Sequence, residues 1–387
     1  MHSKLKVESA VALIATVVCL CFLPVPTEAQ GGGSAPPMAL ETISMPPGFQ
    51  IEVYAEGLQA ARQMALADDG TVFVGSFGLF TGASDVGNIY AVRDTDGDGT
   101  ADEVMTVFSG LTVPNGVAFR DGALFVAENN RITRYDNILS DLQNPPDPVV
   151  LTEMPVNGIN HSWKYLAFGP DGKLYVPVGG PCNVCENDDP WATIMRMNAD
   201  GSQLEVYARG VRNSVGLAFD PGPGALWFTD NGRDMLGDNL PSDELNRATA
   251  RGQHFGFPYC HQGDVLDPEL GVGHSCSDYR PPVVKLGPHV AAIGLTFYRG
   301  DMFPSQYKDQ IFVAQHGSWN RSTPLGYRIA VVRVQDGNSS GQEVFAQGFY
   351  DGNQVTGRPV DVLELADGSL LVSDDLQGAL YRISYAE

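Results

Sequence analysis

The feature that most constrains the fold is a short strand–turn–strand pattern that recurs along the chain. Each copy has an apolar run, a tight turn that often contains Asp-Gly, and a second apolar run, which is the pattern of a β-hairpin. Six copies are present: Gln63–Val74, Asn115–Val126, Tyr165–Val176, Val215–Phe228, Ile293–Val313 and Val360–Val372. They recur roughly every 50 residues, which is in the range of propeller blades.

Further strand-like runs complete the copies. Most copies are followed by a third run, as at Asn88–Arg93, and several by a fourth, as at Glu103–Phe108. Six copies of four strands predict an all-β protein, a six-bladed β-propeller over residues 46–387. The run Phe49–Ala55 has no hairpin of its own, and the last copy ends at Tyr385 without a fourth strand. We therefore expect the N-terminal strand to complete the last blade and remove an open sheet edge. A β-sandwich, the alternative, does not account for the repeat.

The composition narrows the class of protein. The 387 residues include 44 glycines and 26 prolines, which suits many short strands joined by turns rather than a helical protein. The formal net charge is −22, and a chain this acidic repels phosphate backbones and anionic lipid surfaces. We therefore expect no nucleic-acid partner.

The N-terminus has the pattern of an export signal. A basic start precedes the apolar run Ala10–Leu23, which is short for a membrane span, and Thr27–Ala29 fits a small-x-small cleavage site. These features predict a signal peptide over residues 1–29 and a flexible leader over residues 30–45. No later stretch is long and apolar enough to span a membrane, so we expect a periplasmic or secreted protein.

Cysteine usage agrees with export. Four cysteines follow the signal: Cys182, Cys185, Cys260 and Cys276. An even count in an exported chain favours disulfides, and we expect the pairs 182–185 and 260–276 because each closes a short loop. The two other pairings stay open. A zinc site that combines the second pair with His261 and His274 is a further alternative.

Polar residues stand just before the first strand of three copies. His161 precedes the third copy, Arg212 and Asn213 precede the fourth, and Arg358 precedes the last. Because the inner strands of a propeller start on the same rim, we expect these side chains to share one pocket. Such a pocket suits an anionic, carbonyl-rich ligand, with the histidine acting as a base. The alternative is a structural loop histidine.

Two acidic segments have the oxygen-rich composition that calcium prefers. The first is Asp230–Asp234 with the nearby Asp238, Asp243 and Glu244, for which an acidic solvated loop is the alternative. The second is Asp94–Asp102, which begins like an EF-hand loop but has Met105 where the bidentate glutamate belongs. We expect the second segment to be a hairpin tip that could hold calcium.

A third polar segment, Gln315–Arg321, follows the strand-like run Ile311–Ala314. Its rings at His316 and Trp319, together with a glycine, suit a wall of the predicted pocket. The alternative is a capped turn with Trp319 packed inward.

At these residues the chain resembles the glucose/sorbosone dehydrogenase family, soluble quinoproteins built on a six-bladed propeller. It is most similar to the sorbosone-dehydrogenase-like branch. The resemblance covers roughly Pro46 to Tyr385 and is carried by HSWKYLAFGPDGKLYVPVG, ARGVRNSVGLAFDP, TDNGRD with SDELNRA, QHGSWNRS, and GRPVDV with DGSLLVSDD.

The resemblance implies an exported enzyme that uses pyrroloquinoline quinone (PQQ) and Ca²⁺. Its substrate would be an aldose, a sorbosone-type sugar or an alcohol, and its electron acceptor a quinone or a cytochrome. His161 would take the hydroxyl proton, and Arg212 would polarise the quinone carbonyl. The residues expected to bind the cofactor are Asn213, Arg358, His316 and Trp319. Those expected at the metal are Gly232 and Arg233, through backbone carbonyls, with Asp243 and Glu244.

Three departures from the family pattern affect substrate and cofactor. His316 stands where the glucose-oxidising members have a lysine that contacts the quinone, and Val360 stands where they have a second arginine. A glutamine contact falls in the Cys182–Cys185 loop, which places a disulfide near the cofactor. Two alternative functions remain: a calcium-dependent lactonase-like hydrolase and a non-catalytic binding propeller.

Overall fold

The computed structural model describes residues 38–77, 86–156, 158 and 161–386. The first half of the chain contributes β1 (Phe49–Glu56), β2 (Ala61–Leu66), β3 (Val72–Ser76), β4 (Val86–Arg93), β5 (Glu103–Thr112), β6 (Gly116–Arg120), β7 (Ala123–Ala127), β8 (Arg131–Tyr135), β9 (Val149–Glu153), β10 (Ala167–Phe168), β11 (Leu174–Val178), β12 (Thr193–Met197) and β13 (Glu205–Arg209). The second half contributes β14 (Leu217–Phe219), β15 (Leu226–Asp230), β16 (Ser242–Ala248), β17 (Gln253–His254), β18 (Cys260–His261), β19 (Val265–Leu266), β20 (Val284–Pro288), β21 (Ala292–Phe297), β22 (Ile311–Gln315), β23 (Arg328–Gln335), β24 (Asn338–Gln347), β25 (Pro359–Glu364), β26 (Leu370–Asp374) and β27 (Ala379–Tyr385). Short 3₁₀ helices are formed by Leu40–Thr42, Ile138–Ser140, Cys276–Asp278 and Ser305–Tyr307.

These strands form the predicted six-bladed β-propeller. The blades are, in strand order, β2-β3-β4-β5, β6-β7-β8-β9, β10-β11-β12-β13 with the short β17 added at its outer edge, β14-β15-β16-β20, β21-β22-β23-β24 and β25-β26-β27-β1. The four main strands of each blade pair antiparallel, and β17 pairs with β13 in parallel. The six hairpins predicted from the sequence supply the first two strands of the six blades.

Burial explains why the second strand of each blade is an apolar run. Every residue of β3, β7, β11, β15, β22 and β26 is buried, because a strand packed on both faces needs no polar side. The outer strands β5, β9 and β24 are largely exposed. Six hydrophobic clusters fill the spaces between neighbouring blades, one at each interface around the ring.

The N-terminal strand closes the ring as predicted. β1 pairs antiparallel with β27, from Phe49 opposite Tyr385 to Glu56 opposite Ala379, with an irregularity between Val53 and Ala55. The last blade therefore has four strands although only three follow one another at the C-terminus.

The residues just before β1 differ from expectation. Ser44 pairs with Gln347 of the fifth blade, and Ile43 is buried in the cluster between the fifth and sixth blades. The prediction of a flexible leader is therefore wrong for residues 38–45, because their apolar side chains bury against the propeller. The predicted signal peptide, residues 1–29, lies outside the described residues.

Both predicted disulfides are present. Cys182 is bonded to Cys185 in the loop between β11 and β12, and Cys260 to Cys276 in an insertion between β16 and β20. The zinc alternative at the second pair is wrong because its thiols are joined to each other. In the part of the chain that the structure describes, no helix is long and apolar enough to cross a membrane.

Replacing Phe49 tests the closure of the ring. Its ring lies edge-on to those of Phe303, Tyr307, Phe345 and Tyr385. We expect Phe49→Ala to lower the free energy of unfolding by about 3 kcal/mol, the usual cost of removing a packed aromatic ring. Urea denaturation measures this, with the exposed neighbour Gln50→Ala as the control. Equal midpoints for the two variants would contradict the role assigned to β1.

Candidate active site

Loops from five blades enclose a cavity of about 380 Å³. It brings together eight of the ten residues predicted from the sequence: His161, Arg212, Asn213, Gly232, Asp243, His316, Trp319 and Arg358. A volume of this size is in the range of small-molecule sites. The expectation that residues preceding the first strands share one pocket is therefore confirmed in its geometry.

His161 is held in one tautomer by the backbone. Its Nδ1 lies 2.8 Å from the carbonyl oxygen of Gly180, and because a carbonyl only accepts, Nδ1 donates and Nε2 carries the free lone pair. The loop is tight, since His161 has φ 50° and a Cβ on Gly179 would lie 2.5 Å from the Cβ of His161. Only glycine leaves room there for the Cβ and the backbone oxygen of His161.

The environment of His161 keeps the imidazole neutral. Its pKa is lowered to about 4, mainly by burial and next by the charge of Arg212, with a smaller contribution from Lys164, while the bond to Gly180 opposes the shift. An uncharged imidazole with a free Nε2 is the form that accepts a proton.

The guanidinium of Arg212 is buried and held on three sides. Nε donates to the carbonyl of Asn183 at 2.8 Å, and Nη2 donates to Oδ1 of Asn183 at 2.8 Å and to Asp234 at 3.1 Å. Nη1 donates to the carbonyl of Asn231 at 3.1 Å. These bonds use four of its five N–H groups, which leaves one on Nη1 for a ligand.

Asp230, at the end of β15, fixes the backbone beneath these groups. Its carboxylate accepts the backbone N–H groups of Arg212 at 2.9 Å and of Asn213 at 2.7 Å. Burial raises its pKa to about 7, although these bonds oppose the rise. The oxygen atoms of this member of the predicted calcium cluster are thus used to hold the loop.

A second charged group surrounds Asp375, a fully buried residue just after β26. Its carboxylate lies 2.8 Å from Nη1 of Arg62, 3.1 Å from Nε2 of His316 and 2.9 Å from Nε of Arg358. Burial alone would raise the pKa of Asp375, but the three neighbours hold it well below its usual range. This part of the cavity lining therefore carries two arginines and a histidine around one compensating carboxylate.

The predicted metal ligands are only partly brought together. Asp243 lines the cavity and accepts from the backbone N–H of Gly232 at 2.9 Å. Glu244 does not line it: its carboxylate accepts from Nδ2 of Asn246 and from the backbone N–H of Gln262. Arg233 does not line the cavity either: its side chain pairs with Asp267, and the predicted ligand, its backbone carbonyl, stays a prediction.

The other acidic segment lies at the tip of the β4–β5 hairpin, as predicted. Asp94, Asp96 and Asp102 place one carboxylate oxygen each within 4.8 Å of one another. Within the described ranges, no other set of three or more acidic, histidine or cysteine side chains brings its ligand atoms this close together. The backbone N–H groups of Gly97 and Gly99 donate to the carboxylate of Asp94, which offsets part of its charge without a metal. Calcium at this hairpin tip stays a prediction.

Several buried polar atoms of the cavity lack a partner. Among the described residues, Nε1 of Trp163 and the Oδ1 atoms of Asn213 and Asn320 make no hydrogen bond. Unpaired buried polar atoms are rare and costly, so a polar ligand would relieve them. Trp319 is 72% exposed at the rim, and the alternative that it packs inward is wrong.

Sequence reasoning missed several cavity residues: Arg62, Trp163, His289 and Tyr327. A usable signal existed for Arg62, which directly precedes the first hairpin copy as Arg358 precedes the last. His289 and Tyr327 belong to no repeated position, and only the fold brings them to the site.

Comparisons with known proteins agree with this architecture. A family model described as Domain of unknown function (DUF7133) matches residues 35–374. An uncharacterized protein of Borreliella burgdorferi is 31% identical over 361 residues, which cover 89% of this chain and 91% of that protein. The aldose sugar dehydrogenase YliI of Escherichia coli is 28% identical over 206 residues, which cover 46% of this chain and 52% of that protein.

Solved structures share the propeller. The holo form of the PQQ domain of pyranose dehydrogenase from Coprinopsis cinerea has a TM-score of 0.75 at 19% identity, covering 91% of this chain and 98% of that chain. The PQQ-bound aldose sugar dehydrogenase from Streptomyces coelicolor has a TM-score of 0.62 at 19% identity, covering 89% and 100%. The predicted resemblance to PQQ-dependent sugar dehydrogenases is confirmed, while the sorbosone branch stays a prediction.

The protonation of His161 can be measured directly. Because its folded pKa is near 4 and a free imidazole titrates near 6.5, we expect its ring resonances in the apoprotein to stay constant from pH 8 down to about pH 5. Between pH 6.5 and 4 the unfolded chain binds the extra proton, so His161→Gln should lose less stability on acidification than the wild type. Assignment by His161→Gln separates its signal from the six other histidines, and a titration near pH 6.5 would refute the neutral base.

Proposed function

This chain belongs to the family described as Domain of unknown function (DUF7133), and we propose from its site that it is a PQQ-dependent oxidoreductase of sugars or alcohols. The observation that carries the proposal is the neutral, tautomer-fixed His161 beside the fixed cation of Arg212 in one cavity. A base next to an oriented cation is the arrangement needed to remove a proton while negative charge develops nearby.

The cavity fits the proposed cofactor in charge and polarity. PQQ is a planar quinone with three carboxylates, and the cavity presents the guanidinium groups of Arg62, Arg212 and Arg358. Arginine forks match carboxylates well. The unpaired atoms of Trp163 and Asn213 are further candidate contacts.

The chain's own residues would move the proton. Bound PQQ supplies the hydride acceptor. Nε2 of His161 accepts the hydroxyl proton of the substrate, while its Nδ1–H stays on the carbonyl of Gly180. An anionic ligand beside Arg212 would offset the charge that depresses the pKa of His161, so ligand binding would strengthen the base. The remaining N–H of Arg212 would stabilise a carbonyl oxygen as it gains charge.

Calcium belongs to the same proposal. The backbone carbonyls of Gly232 and Arg233 with the carboxylate of Asp243 would form an oxygen-rich set. The support is that Gly232 and Asp243 both line the cavity, joined by a hydrogen bond. Glu244 would then act from outside the cavity, through the strand that carries Asp243.

The proposals for the substrate, the electron acceptor and the cellular location rest on the relatives and the sequence. We propose an aldose or sorbosone-type sugar as substrate, because the named relatives are an aldose sugar dehydrogenase and a pyranose dehydrogenase. A quinone or cytochrome would accept the electrons. The two disulfides support an oxidising compartment, the periplasm or the cell exterior.

The first experiment is reconstitution of the apoprotein with PQQ and Ca²⁺, followed by dye reduction with a panel of aldoses, sorbosone and alcohols. We expect substrate-dependent reduction, and a loss of about 10²- to 10⁴-fold in kcat for His161→Gln, the usual contribution of a general base. His274→Gln, a half-buried histidine outside the cavity, should keep wild-type activity. Failure of the wild type to take up micromolar PQQ would refute the proposal.

A second experiment tests Arg358 as a cofactor ligand. Arg358→Met should weaken PQQ binding by about 10- to 100-fold, since a charge-assisted hydrogen bond contributes about 1.5–3 kcal/mol. Equilibrium titration of the apoprotein gives the Kd. Arg382→Met removes an arginine that pairs with Asp367 away from the cavity and should bind PQQ like the wild type. Equal affinities for both variants would exclude Arg358 as a cofactor ligand.

A further inference from the structure

Asn183 makes more contacts with the Arg212 guanidinium than any other described residue. Its backbone carbonyl accepts from Nε and its side-chain oxygen accepts from Nη2, both at 2.8 Å. Two contacts from one residue fix the plane of the guanidinium as well as its position.

Asn183 is itself fixed by the segment after β15. Its Oδ1 accepts the backbone N–H of Asp234 at 2.8 Å, and its Nδ2 donates to the carbonyl of Asp234 at 3.2 Å. Because Asp234 also pairs with Arg212, the three residues form a closed set of hydrogen bonds. Asn183 itself does not line the cavity.

The loop that carries Asn183 contains a covalent restraint. It spans residues 179–192 between β11 and β12 and has no strand of its own, so ordering it costs conformational entropy. The disulfide between Cys182 and Cys185 closes a small ring around Asn183, which limits the conformations of that residue before any hydrogen bond forms.

We propose that the Cys182–Cys185 loop is a positioning device for Arg212, in which the disulfide restrains Asn183 and Asn183 directs the guanidinium so that one Nη1 N–H stays free for a ligand. Asn183 is thus a positioning residue. This inference deepens the proposed function, on which its catalytic consequence rests, whereas its structural consequence is independent of the cofactor.

Loosening the loop has two measurable consequences. In the apoprotein, a mobile Arg212 places less positive charge beside His161, so the imidazole should protonate more readily. In the loaded enzyme, a mobile guanidinium should stabilise developing charge less well, which lowers kcat more than it raises the KM for sugar.

The test compares two variants with matched controls. Asn183→Ala removes the side-chain contacts and keeps the disulfide, with Val184→Ala as its control in the same loop. The double variant Cys182→Ser/Cys185→Ser removes the restraint, with Cys260→Ser/Cys276→Ser as a control that opens the other disulfide. Asn183→Ala decides the question where the cysteine variant fails to fold.

We expect both test variants to raise the pKa of His161 in the apoprotein, followed by NMR, by about half a unit or more. We also expect a fall in kcat of about tenfold or more with a sugar KM within threefold of wild type. The controls should change neither quantity. The double cysteine variant should show a smaller effect than Asn183→Ala, because the hydrogen bonds can still form.

A folded Asn183→Ala variant with wild-type kcat and an unchanged His161 pKa would overturn the inference. A lower melting temperature with both quantities unchanged would show a purely structural loop and overturn it too. If the wild type binds no PQQ, the proposed function fails, and the His161 titration alone then decides whether Asn183 positions Arg212.

Discussion

The buried carboxylate of Asp375 is the group on which the ring and the cavity both depend. Asp375 belongs to the sixth blade and binds Arg62 of the first, so it joins the two ends of the ring at the site. It also binds His316 of the fifth blade. From there, Arg62 donates to Asn115, and Asn115 donates to the carbonyl of Lys164, at 2.8 and 2.5 Å. Breaking a buried charged network leaves an uncompensated charge and costs about 3–5 kcal/mol. The positions of the cavity groups are therefore set by contacts between blades.

Much of the fold could be predicted because its signals are local. Asp-Gly turns between apolar runs marked six hairpins, and the missing fourth strand of the last copy assigned β1 to it. The same repeat located His161, Arg212 and Arg358, since equivalent positions in a closed ring face the same rim. Both disulfides were accessible for a similar reason, because short loops favour them.

The rest of the site depends on contacts that no local pattern records. Asn183 meets Arg212 across 29 positions, and Asp375 meets Arg62 across 313. The sequence displays Asp243 and Glu244 as an acidic pair, but only Asp243 lines the cavity, whereas Glu244 accepts from the backbone N–H of Gln262, 18 positions away. The sequence shows which residues could bind a metal, and the folded structure determines which of them reach the cavity.

The positive charge of the cavity would affect both the binding of an anionic ligand and the basicity of His161. The chain as a whole has a formal net charge of −22. The cavity, by contrast, is lined by Arg62, Arg212 and Arg358 together with a neutral His161. Burial, and next to it the charge of Arg212, keep the imidazole uncharged and also make it a weak base while the cavity holds no anion. An anionic ligand would offset these cations, so the pKa of His161 would rise once the ligand is in place. The same arginines would then attract the cofactor and delay proton removal until it is bound, which couples the base to the occupied site.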